Sequence, residues 1–241
     1  MTDSTHEPAT GLDAPDRDFA ATAGSFEAAR SEPRTKLRIR TFGPLGLARA
    51  HDVPASRRAP GRPLLLLALL LAGPRVGVSR DRLMSQMWPG HTITWPEKAF
   101  EVTLHRLRHW LGCREAVRLR AGIVWLERQH LELQSDAIDA LSEQVEDAER
   151  SLPIQACVDV ASRLLQACAA PFCDGIDAPA VNQARERYRR RCLRLANHLA
   201  QVLESAGRSL LVDRLRSFAN QLEGGDAAAS APAVGRRAAA A

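Results

Sequence analysis

A mostly helical fold with small β elements, divided into a helix-turn-helix half and an all-helical half, is predicted by three features of this 241-residue sequence. The run PLLLLALLLAG, residues 63–73, is apolar on every side and reads as a helix buried in protein. Downstream, VGVSRDRLMSQMWPG and TWPEKAFEVTLHRLRHWLG read as a short and then a longer amphipathic helix, followed by an alternating, basic segment of hairpin pattern. From Asp136 onward every patterned stretch is helical.

Residues 1–35 lack periodicity, and the tail from 223 to 241 is Ala-rich, so both ends are expected to be disordered. KLRIRTFGPLGLARA, residues 36–50, alternates and then breaks at Gly43-Pro44, the pattern of a short hairpin. The apolar helix is ten residues, about 15 Å at 1.5 Å each, whereas a bilayer core of about 30 Å needs about twenty. It is therefore a core element, with Pro63 expected at its first helical position, Gly73 in the left-handed position past its end and Pro74 preventing continuation. Ser79 is the expected N-cap of the second helix, with Leu83, Met84, Met87 and Trp88 facing inward. The third helix starts at Pro96 and ends before Gly112. EAVRLRAGIVWLERQHLEL turns at Ala121-Gly122 as a two-stranded hairpin. Helices are expected over 137–149, 154–169, 179–205 and 209–222. This order places one domain at 36–134, a helix-turn-helix with a wing, and an all-helical domain at 135–222.

Charge is distributed unevenly. Residues 36–134 hold 17 Lys and Arg against 7 Asp and Glu, a net +10, while 135–226 hold 11 against 14 and residues 1–35 hold 3 against 7. A basic excess confined to one segment points to a polyanionic partner, nucleic acid above all. The first 35 residues have no apolar core of a signal peptide, so a cytoplasmic location without membrane contact is expected. Five cysteines (Cys113, Cys157, Cys168, Cys173 and Cys192), an odd number with no C-x-x-C pair, read as reduced structural thiols.

On the third helix, Phe100, Leu104, Leu107 and Leu111 form one apolar stripe. Lys98, Val102, His105, Arg106 and His109 fall on the opposite side, with Glu101 and Arg108 on its flank. Arg pairs with guanine or phosphate and Val meets a thymine methyl, so this is the composition of a DNA-reading helix. Arg118 and Arg120, two apart on a strand, face one way and can reach phosphates or a minor groove. His105 and His109 share a face, but H-R-L-R-H lacks the Glu of H-E-x-x-H and its arginines repel a dication, so no metal is assigned. Phosphate-binding, dinucleotide and nucleophile-elbow motifs are absent, and neither an enzymatic role nor a cofactor is expected.

LRIRTFGPLGLA (residues 37–48), LLLLALLLAGPRVGVSRDRLMSQMWPG, HRLRHWLG and SDAIDAL resemble the amino-terminal domain of the SARP/AfsR-type bacterial transcriptional activators, which is similar to the OmpR-type winged helix. PFCDGIDAPAVNQARERYRRRCLRLANHLAQVLESAG resembles the start of that family's TPR-like bacterial transcriptional activation domain, here in a shortened form. The resemblance implies promoter binding, often at direct repeats, recruitment of RNA polymerase and self-association. The expected function is thus a sequence-specific regulator that binds double-stranded DNA and activates transcription. The alternative is a protein–protein adaptor whose winged helix no longer reads DNA.

Overall fold

The structure is a computed structural model that describes residues 36–48, 61–90, 94–146 and 152–229. The expectations for residues 1–35 and 230–241 lie outside the described residues. Among those described, helices predominate and the strands are short. Strands β1 (Leu37–Arg40) and β2 (Gly46–Ala48) precede α1 (Gly61–Ala72), β3 (Val78–Ser79), α2 (Arg80–Met87) and α3 (Pro96–Leu111). A 3-10 turn (Arg114–Ala116) leads into β4 (Val117–Arg120), β5 (Ile123–Leu126) and β6 (Leu131–Leu133). Helices α4 (Gln134–Glu146), α5 (Ile154–Ala167), α6 (Pro179–Ser205) and α7 (Ser209–Ala229) complete the chain. The last helix thus runs past Leu222, through Gly224 and Gly225, into the Ala-rich segment, whose alanines are the best helix formers.

Helix α1 sits at the centre of the first half: Leu66 to Ala72 are all buried, and α3 and α2 pack against it. It begins at Gly61, two residues before the expected start, with Pro63 in its first turn. The first-turn N–H groups have no intrahelical partner, so proline is tolerated throughout that turn. Arg62 donates to the Met87 carbonyl at the end of α2 and lies over the Trp88 ring at 5.6 Å, which fixes the angle between α1 and α2. Gly73 is not left-handed, contrary to expectation; a Cβ there would lie 2.5 Å from Val78 Cγ2, so glycine is required by the close return of the chain along α1.

The strands form two three-stranded sheets. In one, β3, β5 and β4 are antiparallel in that order, and the β4–β5 turn places both Ala121 (φ 50°) and Gly122 (φ 75°) in the left-handed region, as a type I′ hairpin requires. The hairpin is therefore braced by β3, and its distal part, β6, leaves it to pair in parallel with β1 in the second sheet, whose order is β2-β1-β6.

That second sheet joins the two halves. Phe42 and Pro44 form bridges to Phe172 and Asp174, and the backbone bonds Gly43 N to Pro171 O (2.8 Å), Cys173 N to Thr41 O (2.7 Å) and Asp174 N to Gly43 O (3.0 Å) extend it. Gln134 Oε1 accepts from the N–H groups of Thr41 and Phe42, each at 3.1 Å, while its Nε2 donates to Ala167 O at 2.8 Å. Phe42, Phe172 and Tyr188 pack their rings together, the last two stacked at 4.7 Å. Buried residues of segments 36–134 and 135–222 belong to one hydrophobic core within a single compact unit. All five cysteines are free; four are buried and Cys113 is half-buried. No helix among the described residues is long and apolar enough to cross a membrane.

Candidate nucleic-acid interface

Helix α3 is 16 residues long, starts at Pro96 behind an exposed Trp95 and stops at Gly112, whose φ of 71° reverses the chain. Phe100, Leu104, Leu107 and Leu111 are all buried against the α1 core, at about 2 kcal/mol of burial each. Helical geometry then forces the other face outward: Lys98, Glu101, Val102, His105, Arg106 and His109 are exposed. Among the described residues, the side chains of Lys98, His105, Arg106 and His109 have no hydrogen bond or ion pair. This contrasts with α6, where Arg185 donates to the carbonyls of Phe172, Cys173 and Ile176, Arg187 to that of Ala72, and Arg189 and Arg190 to Glu186. The arginines named there are engaged within the fold, whereas Arg106 on α3 has no such partner among the described residues.

Arg108 differs from its neighbours. It is half-buried, and its Nε donates to the carbonyl of Val117 at 2.9 Å. Burial first, then the nearby charges of Arg114 and Arg118, hold its pKa below the ordinary value, with Glu115 acting in the opposite direction. Arg108 is thus a strut between α3 and β4 as well as part of a basic cluster. Arg114, exposed on the 3-10 turn, belongs to that cluster and was not singled out by spacing, because a three-residue turn has no periodicity to reveal its neighbours.

Arg118 and Arg120 are exposed on β4 and alternate with Val117, which is buried, and Leu119, which is half-buried. Cross-strand, Arg118 lies opposite Trp125 and Arg120 opposite Ile123. The type I′ turn carries β5 back, and Arg80 N donates to Gly122 O at 2.8 Å, so the turn is tied to the start of α2. The Ser79 hydroxyl accepts from Arg82 N at 3.4 Å, the N-cap expected for α2. Arg80 also pairs with Glu97 at 3.2 Å, linking the first turns of α2 and α3 and neutralising an acid beside the exposed face. The structure therefore groups Lys98, Val102, His105, Arg106 and His109 on one helix face, places Arg118 and Arg120 on an adjoining strand, and turns Arg108 inward between the two. No protein-family model matches the chain, and no curated protein matches it either.

Proposed function

We propose that residues 36–134 form a winged helix-turn-helix that reads double-stranded DNA sequence-specifically, and that the chain is a transcription regulator. In this reading α2 and α3 are the helix-turn-helix, α3 enters the major groove, and the β4–β5 hairpin is the wing. The observation that carries it is the exposed α3 face, where cations stand without intramolecular partners directly opposite a fully buried stripe. Arg106 is the base reader, Val102 the apolar contact, and Lys98, Arg114, Arg118 and Arg120 position the duplex through phosphates. His105 and His109 supply further polar contacts on the same face.

The second half, with the antiparallel pair α6–α7 packed on α5, supplies a TPR-like helical domain in this reading. Together with the resemblance to SARP/AfsR-type activators, it supports activation at promoters, contact with RNA polymerase and homodimerisation.

Selection of bound duplexes from a random library by the full chain tests the proposal. Enrichment of one motif is expected, and affinity for it should fall with salt. For 4 to 6 phosphate contacts the log-log slope is roughly −4 to −5. No enriched motif together with a flat salt response would reject DNA reading and leave the adaptor.

A further inference from the structure

A cleft of about 550 Å³ runs between α1, the turn after it, α2 and the first turns of α6. That volume falls within the range of roughly 300 to 1,000 Å³ typical of small-molecule sites. Leu69 and Leu83 give it apolar walls, and Arg82 and Arg187 bring two positive charges to it; among the described residues that line it there is no carboxylate. Arg187 spends one donor, Nη2, on the Ala72 carbonyl at 3.1 Å, which seats its guanidinium at the end of α1. The Arg82 side chain is exposed and makes no hydrogen bond or ion pair among the described residues.

Two cations without a counter-charge, in a concave space of ligand size, define complementary chemistry. We propose that this cleft binds a small organic anion, a phosphate monoester or a carboxylate, whose acidic group is held by Arg82 and Arg187. The cleft lies behind α2, on the side of α1 shared with α6. Under the DNA-binding reading, on which this consequence rests, a ligand there bridges the helical half and α2, the first helix of the helix-turn-helix.

Binding is measured on the full chain without DNA, by calorimetric titration with glucose 6-phosphate, with citrate, and with glucose as the neutral control. Saturable binding of one of the two anions and none of glucose is expected, and the anion that binds distinguishes phosphate from carboxylate. Gln183→Glu, at an exposed α6 position lining the cleft, sets a carboxylate beside the arginines and should weaken binding at least tenfold without lowering the unfolding temperature. Arg82→Ala should weaken it as well. Absence of saturable binding by both anions, or binding untouched by both variants, overturns the site. Complete displacement of the bound anion by a DNA duplex also overturns it, by assigning these cations to the DNA backbone. Because the first measurement contains no DNA, its failure leaves the DNA-binding reading standing, and failure of motif selection leaves the cleft standing.

Discussion

Arg108 Nε donates to the carbonyl of Val117 across 2.9 Å, so the candidate reading helix and the strand carrying Arg118 and Arg120 are tied by a single charge-assisted bond. Arg108→Met keeps the aliphatic packing and removes the donor, at about 1.5 to 3 kcal/mol for a hydrogen bond from a charged group. We expect a lower unfolding temperature and weaker binding of all duplexes, with the selected motif unchanged. A changed motif would mean that Arg108 reads a base itself.

Arg106 and Arg120 should fail differently. Arg106→Ala is expected to cost about 1 to 3 kcal/mol on the selected duplex and to relax preference at one position. Arg120→Ala should weaken cognate and random duplexes alike and make the salt slope shallower by about 1. Competition binding with both duplex types checks this, and equal losses for both variants would remove Arg106 as a base reader.

Gln134→Ala deletes three hydrogen bonds and leaves the Thr41 and Phe42 amides and the Ala167 carbonyl short of partners. At about 1 kcal/mol or more for each, destabilisation by roughly 3 kcal/mol is expected. Because the halves share a core, urea unfolding should remain a single transition by both tryptophan fluorescence and circular dichroism. Two separated transitions would show that the halves unfold independently.

Glu186 accepts hydrogen bonds from Arg189, its strongest influence, and from Arg190, which together hold its pKa down at about 2 against burial. A depressed carboxylate stabilises the fold fully above its ordinary value of 4.5 and loses that contribution as pH falls towards 2. Glu186→Gln should therefore flatten the fall in stability over that acid window while leaving its relative change between pH 6 and 8 alone. An unchanged acid profile in chemical denaturation would show that the Arg189 pairing adds nothing.

Thiol accessibility separates one cysteine from the rest. Burial raises the pKa of Cys173 to about 12 and also pushes up Cys157, while the Cys168 and Cys192 sulfurs lie 3.2 Å apart out of solvent. Brief iodoacetamide treatment of the folded chain should add one carbamidomethyl group, at Cys113, by intact mass and peptide mapping. Rapid labelling of Cys168 or Cys192 would contradict the packing of α5 on α6.

Elements governed by local chemistry were legible in the sequence. Pro96 and Gly112 mark the ends of α3, Ser79 caps α2, and Ala121-Gly122 marks the hairpin turn, because each acts on its own few residues. The exposed face of α3 followed from periodicity alone. Long-range relationships were hidden. Gln134 has no pattern announcing that its amide reaches Thr41 and Ala167, and although Gly73 follows the last residue of α1 as expected, the close approach of Val78 Cγ2 that glycine accommodates there is made only by folding. Arg108 falls on the flank of that face by spacing, and only the path of β4 shows where its guanidinium goes.

The parallel pairing of β1 with β6, together with the bridges from Phe42 and Pro44 to Phe172 and Asp174, sets a timetable for the nascent chain. The first strand to leave the ribosome has no complete sheet to join until residue 133 has also emerged, and Phe42 lacks its bridge until Phe172 follows. At about 5 to 20 residues per second, that wait is on the order of ten seconds. During it Phe42 and the open edge of β1 are available to chaperones or to other nascent chains. A stop codon before Leu131 would release the chain with that edge unpaired, whereas one between Leu133 and Phe172 would leave β1 paired on both sides and Phe42 without Phe172. Termination before Leu131 should therefore yield the more aggregation-prone fragments.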